Sequence, residues 1–229
     1  MKELQMKLSE QTIKVLKNYS TINQGLVFKK GNVITTMSPQ KNILSEATLT
    51  DDIPQDFAIY NLNEFLSVLS LNKDPEVEFD GKNAVIKFLN GRSKIKYRFT
   101  EESMVVSPPD KKITLPSVDV EFTLTEEDLA WLLKTSAVLG SPNIAITSDG
   151  ESVNIMTFDV ANDAAHTNSI TLDIPTTGSY KLIFKTDNLK LIPGTYLVQI
   201  SSKGIAHFNN PKESIQYWIA TEAGSSYGS

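Results

Sequence analysis

The sequence contains no cysteine, two histidines and two tryptophans in 229 residues. Without cysteine it has no disulfide, thiolate nucleophile or sulfur-held metal, and the absence fits a reducing compartment. His166 and His207 lie far apart and lack metal-ligand spacing. No apolar run approaches the roughly 20 residues that span a bilayer. The amino terminus alternates polar and apolar residues instead of placing a basic segment before an apolar one, so no signal peptide is expected. The nucleotide-binding patterns G-x-x-x-x-G-K-[ST] and G-x-G-x-x-G are missing, as are H-E-x-x-H and G-x-S-x-G. Asp51, Asp52 and Asp56 crowd one stretch without the glycine and terminal glutamate of a calcium loop, and read as a solvated acidic loop. No cofactor and no enzyme chemistry are expected. A net charge of −5 argues against a surface coated in positive charge, but leaves room for a local basic face.

What is present is a globular composition, 40% apolar and 21% charged, with enough length to bury a core. The most ordered stretch is Val120–Leu139. Val120, Phe122 and Leu124 alternate as a half-buried strand does, and Thr125 stands at an N-cap position. Glu126, Glu127 and Asp128 fall in the first turn, where carboxylates meet the positive end of the helix dipole. Leu129, Leu132, Leu133 and Ser136 then share one helical face. The amino terminus repeats the pattern. Leu4, Met6 and Leu8 alternate, Ser9 takes the cap position, Glu10 follows, and Ile13, Leu16 and Ser20 take one face. One strand–cap–helix unit, met twice in one chain, marks two similar domains in tandem.

The remaining pattern runs in parallel through both halves. Short β-prone runs at Gly25–Phe28 and Val33–Met37 flank a hairpin-like turn at Lys30-Gly31-Asn32, and Ile43–Leu49 is a weaker strand. A second helix starts at Asn61 or Asn63, carries Leu62, Phe65, Leu66 and Leu69 at helical spacing, and stops over Asn72–Pro75. Strands follow at Glu76–Phe79, Ala84–Leu89 and Lys94–Phe99, split by Asp80-Gly81 and Asn90-Gly91. Two prolines and a charge cluster at Ser107–Lys112 mark an extended connector. The predicted division is 1–107 for the first domain, 108–117 for the connector and 118–229 for the second domain. After the second-half helix come strands from Ile144 to Phe184. A short fourth helix at Thr186–Leu191 is cut by Pro193-Gly194, and three more strands end at Ala220. Each half reads β-α-β-β-β-β-α-β-β-β.

In this order the chain resembles a DNA polymerase processivity factor, the sliding clamp of T4-like tailed phages. IYNLNEFLSVLSL (Ile59–Leu71), SMVVSPPDKKITLPSVDVEFTLTEEDLAWLL (Ser103–Leu133) and NIAITSDGESVNI (Asn143–Ile155) carry the likeness. IPGTYLVQI (Ile192–Ile200) and SIQYWIATEA (Ser214–Ala223) complete it. The resemblance implies an α+β fold of two tandem DNA-clamp domains, each with antiparallel sheets and two helices. It implies a homotrimeric ring with helices lining the hole and strands forming an outer wall. It also implies a function: encircling duplex DNA without reading sequence and tethering the replicative polymerase for processive synthesis. A separate ATP-dependent clamp loader, contact with late-transcription factors and a place in the cytoplasm of the infected host cell follow from the same likeness.

Two groups of residues carry the expected contacts. If the helices line the hole, Lys7, Lys14, Lys17, Lys134 and Lys190 are the DNA-facing cations; a flexible lysine attracts phosphate without reading bases. On composition alone these could equally be solvated helix faces. The second helix has no lysine, Glu127 shares a side with Lys134, and Trp131 and Val138 fall on the outer side of the third helix, where neither core packing nor phosphate accounts for them. The implied partner-peptide groove near the connector would use Val105, Val106, Ile113, Leu115, Tyr217, Trp218 and Ile219, apolar and aromatic anchors of the usual kind. The same residues could instead pack the second domain. The rival reading from another class is a tandem β-rich structural or adaptor protein of a virion that binds protein and not DNA.

Overall fold

The computed structural model describes residues 5–71, 73, 76–88, 91–109, 111, 113–176 and 178–228. The expectations at Leu4, Asn72, Pro75, Leu89, Asn90, Asp110 and Lys112 lie outside these residues. The chain divides into two compact units, Met1–Asp110 and Lys111–Ser229.

Unit 1 runs β1 (Gln5–Lys7), α1 (Glu10–Ile22), β2 (Leu26–Phe28), β3 (Gly31–Met37), β4 (Ile43–Ile53), β5 (Phe57–Ile59), α2 (Leu62–Leu69), β6 (Glu76–Asp80), β7 (Asn83–Phe88) and β8 (Ser93–Arg98). One antiparallel sheet has the order β1-β6-β7-β8, while β3 pairs with β4 and β2 with β5. Unit 2 runs β9 (Val120–Leu124), α3 (Glu126–Leu139), β10 (Asn143–Asp149), β11 (Val153–Phe158), β12 (Asn168–Leu172), β13 (Ser179–Lys185), β14 (Tyr196–Ser201), β15 (Ile205–Asn210), β16 (Ile215–Ala220) and β17 (Ser226–Tyr227). Its antiparallel orders are β9-β14-β15-β16 and β12-β11-β10-β13-β17. The fold is α+β, with two similar domains of antiparallel sheets.

All three helices begin at side-chain caps. The N–H of Thr12 donates to Ser9 Oγ at 3.2 Å, that of Glu64 to Asn61 Oδ1 at 3.1 Å, and that of Asp128 to Thr125 Oγ1 at 3.1 Å. Each cap satisfies an orphan donor and stabilises its helix by about 1 kcal/mol. α3 ends on Gly140, whose φ of 65° is a left-handed conformation that suits glycine, and the Ser141 N–H returns to Ser136 O at 2.9 Å.

Four expectations are corrected. The fourth helix is absent among the described residues: Thr186–Asn188 forms a single 3-10 turn. With few apolar positions and Pro193 close behind, the segment is too short to propagate a helix. The hairpin at Lys30-Gly31-Asn32 does not form, because β2 pairs with β5 and β3 with β4. Gly31 instead opens β3 beside a register shift, with φ of 117°. The weak strand at Ile43 is the longest in the chain, 11 residues, and takes in Asp51 and Asp52. Asp51 and Asp52 of the expected acidic loop are therefore in a strand, because the period of two continues through Ala47, Leu49, Asp51 and Ile53, while Asp56 does lie in the loop between β4 and β5. Asp51 holds its place on that face by accepting the Ser9 N–H at 2.7 Å.

The cores differ in filling. Unit 1 clusters phenylalanines, with Phe28 stacked on Phe57 at 4.3 Å and Phe57 meeting Phe79 and Phe99. Unit 2 buries Tyr196, Tyr217 and Phe208 edge to face. The Tyr196 hydroxyl donates to Ile192 O at 2.6 Å, so a buried phenol is satisfied.

Candidate nucleic-acid interface

α1 is held by its buried stripe of Thr12, Val15, Leu16, Tyr19 and Ile22. That stripe sits one residue away from the predicted Ile13/Leu16/Ser20 face, because Tyr19 anchors it. The Tyr19 hydroxyl donates to Ile34 O at 3.2 Å and accepts from Ser45 Oγ at 3.2 Å. Burial pushes the Tyr19 phenol far above its ordinary range, so it stays neutral. Packing the stripe turns Lys14 and Lys17 outward, and both are exposed.

Ile13, freed from the core, lines a groove of about 680 Å³ between α1 and α2 with Leu8, Leu66 and Leu69. Lys14, Lys17 and Lys73 stand along this groove, with Glu10 as its only carboxylate among the described residues. Lys73 was missed in the sequence because it follows the end of α2. The signal lay in the turn at Ser70–Leu71, which ends α2 shortly before Lys73. Three ammonium groups around one helix pair form a local cationic field, whatever the net charge of the chain.

In unit 2, Leu129, Leu132 and Ser136 face the core, and Lys134 is exposed on the opposite side. It shares a surface concavity with Glu127, Asp128, Ala130, Trp131 and Ile170, so carboxylates offset its charge. The remaining predicted cations are less well placed. Lys7 lies in β1, not on a helix, because the strand runs on to it before Ser9 caps α1. Lys190 is half-buried in the segment between the 3-10 turn and β14, since the helix expected to carry it does not form. Among the described residues there is no cluster of three metal-ligating side chains. His166 is exposed and His207 half-buried.

Residues 7–107 match the family described as DNA polymerase processivity factor, and residues 121–223 match the C-terminal part of the gp45 sliding clamp. The sliding clamp of Vibrio phage KVP40 is 33% identical over 225 residues, 95% of this chain and all of that protein. The sliding clamp of Enterobacteria phage T4 is 36% identical over 230 residues, 97% of this chain and 99% of the other. This chain belongs to the sliding-clamp family. The fold is similar to that of two PCNA structures as well. PCNA of Thermococcus kodakaraensis superposes with a TM-score of 0.67 at 14% identity, over 95% of this chain and 99% of the other. PCNA of Entamoeba histolytica gives the same TM-score at 12% identity, over 95% and 98%.

The second surface expected of a sliding clamp, the partner-peptide groove, is only partly offered by the residues predicted for it. Val105 is packed in the core of unit 1 with Val27 and Ala58. A Cβ on Gly25 would come within 3.0 Å of the Val105 side chain, so a larger residue there would press on the valine. Tyr217 and Ile219 are fully buried in unit 2. Strand alternation sends 215, 217 and 219 to one face, so Tyr217 and Ile219 cannot share a surface with Trp218. Trp218 lies on the other face, stacked on His207 at 4.9 Å. Val106 is exposed, with its carbonyl accepting from Asn23 Nδ2 at 2.8 Å, and Ile113 and Leu115 are half-buried. Of the seven predicted residues, Val106 is exposed and Ile113 and Leu115 are half-buried, while Val105, Tyr217, Trp218 and Ile219 are buried.

Proposed function

We propose that this chain assembles into a homotrimeric ring that encircles duplex DNA and tethers the replicative polymerase. The observation that carries the reading is likeness to phage sliding clamps along nearly the whole length, with each half matched separately. Lys14, Lys17 and Lys73 around the α1–α2 groove, and Lys134 on α3, support it. They sit on helix faces turned away from the core, where hydrated point charges attract phosphate without specifying sequence. Lys7 and Lys190 are lesser contributors. The ring works without catalysis, takes no cofactor, and is opened by a separate ATP-dependent loader in the infected cell's cytoplasm. Residues 108–117 connect the domains. Polymerase and late-transcription partners dock beside the connector. Among the described residues no helix is long and apolar enough to cross a membrane. No observation favours the virion-adaptor alternative.

The test is retention. Protein loaded on nicked circular duplex should remain bound through a high-salt wash and leave when the circle is cut. Equal retention on circular and linear DNA would replace enclosure with ordinary surface binding.

A further inference from the structure

α1 and α2 pack side by side in opposite directions. The Leu62 N–H that opens α2 donates to Gln24 O, just beyond the end of α1, at 2.7 Å. The end of α2 therefore lies beside the start of α1, and Leu66, Leu69 and Ser70 share their groove with Leu8, Glu10 and Ile13. The groove follows α1 from Glu10 to Lys17, about 10 Å of helix. Its floor is apolar. Ile13 stands four residues after the Ser9 cap, as Leu129 stands four residues after the Thr125 cap of α3. Leu129 is 3% exposed and packed in the core, whereas Ile13 is only partly covered. On the same matching, α1 carries Lys14 and Lys17 where α3 carries Ala130 and Leu133. Unit 1 has thus joined an incompletely covered apolar floor to a cationic rim.

We propose that this groove is a docking site for an acidic peptide segment of a partner protein. Its leucine-sized side chains rest on Ile13 and the floor around it, and its carboxylates meet the lysines. The site shares Lys14, Lys17 and Lys73 with the DNA reading but does not depend on it. At about 680 Å³ the groove has the volume of a ligand site. Its length matches about two turns of an amphipathic helix, which seats its apolar face through anchors at three- and four-residue spacing.

Charge and floor together select the occupant. Lys14, Lys17 and Lys73 are set against Glu10 alone among the groove's described residues, so a carboxylate is attracted here although the chain carries a net −5. Duplex DNA supplies negative charge, but it stacks its apolar surface inside and has nothing to lay on Ile13. A fatty acid would cover Ile13, but its one carboxylate cannot serve both walls. Lys14 and Lys17 stand a turn apart on α1, and Lys73 follows the end of α2. A peptide meets both demands, because it carries apolar and acidic side chains along one backbone. Peptide and duplex then compete for the same ammonium groups, and a partner seated in the groove keeps this face of unit 1 from DNA.

The experiment is fluorescence anisotropy of labelled synthetic peptides on the full chain at low salt. One peptide carries leucines at helical spacing among glutamates. A second has glutamate in place of every leucine, and a third has lysine in place of every glutamate. The first should bind, the second more weakly, and the third not at all. Ile13→Gln keeps a helix-forming residue at a half-buried position. It should weaken the first peptide about tenfold, the loss expected when an isoleucine no longer finds cover, and leave duplex association as in the wild type. Lys14→Gln with Lys17→Gln should weaken peptide and duplex alike. Unlabelled duplex should release the peptide from the wild type, a reading that needs no mutation. Equal binding of the all-glutamate peptide, or a peptide that stays on a chain saturated with duplex, would overturn this inference and leave the DNA reading intact. So would an unchanged peptide affinity in Ile13→Gln. Peptide binding by a chain that takes up no duplex would uphold the inference and turn against the DNA reading.

Discussion

Unit 1 and unit 2 start alike and diverge where they meet the outside. Both open with a strand, a hydroxyl cap and a helix whose apolar face enters the core. Unit 1 then adds α2, and the helix pair presents Lys14, Lys17 and Lys73 around an apolar groove. Unit 2 replaces its second helix with the turn Thr186–Asn188, and α3 presents Lys134 among Glu127, Asp128 and Trp131. The parts that must agree for either unit to fold have been kept. The exposed chemistry differs, because packing constrains only the residues that enter the core.

The largest effect that would test the parallel is in the cores. Leu16 and Leu132 hold equivalent positions and are both buried. Leu16→Ala and Leu132→Ala should each cost about 2–5 kcal/mol in urea unfolding. Similar costs sharpen the parallel; a negligible cost for Leu132 would break it. Next come the lysines. Reversing Lys14, Lys17 and Lys73 together should weaken DNA association more than Lys134→Glu does. The slope of log affinity on log salt should fall by about 0.9 for every lysine that meets a phosphate. A greater effect from Lys134→Glu would move the main DNA contact to unit 2.

Much of this was legible because it is local. A cap followed by helical spacing needs no distant partner to be recognised: Ser9 and Thr125 cap where the sequence puts them, and Asn61 is one of the two starts it left open for α2. The long β4 was obscured because Asp51 and Asp52 look like loop residues. What keeps them in a strand is a distant contact, the Ser9 N–H bonding to Asp51. The hairpin after β2 failed for a related reason: three short residues, Leu26–Phe28, pair wherever phenylalanine packing is best, here against Phe57. At the site, Lys14 and Lys17 follow from helix geometry, whereas Lys73 depends on how the chain leaves α2. Tyr217 and Ile219 could have been withdrawn from the groove on alternation alone, and helical spacing already put Trp131 and Val138 on the outer side of α3, where both are exposed.

The smallest effect contrasts the outer polar faces. On the β6-β7-β8 face of unit 1, Lys87 pairs with Glu78 and Lys96 with Asp80, exposed pairs of little net worth. The β9-β14-β15-β16 face of unit 2 carries a row of amides around one titratable ring. Gln199 donates its Nε2–H to Glu121 at 2.7 Å, which turns its Oε1 toward His207 Nδ1 at 3.4 Å; His207 Nε2 lies 2.9 Å from Gln216. Burial pushes the His207 ring below its ordinary 6.5, partly offset by the Gln216 contact. A depressed histidine binds its proton more readily in the unfolded chain. Its contribution to stability is therefore complete above about pH 6.5 and is lost as pH falls from there toward the folded value. Melting followed from about pH 7.5 to about pH 5 should show this decline in the wild type and a shallower one in His207→Gln, which keeps a polar group in the row. The difference should be modest, because the ring is only half-buried. Parallel pH profiles for the two proteins would mean that protonated His207 is accommodated on this face as readily as in the unfolded chain, leaving the two faces alike in their response to acid.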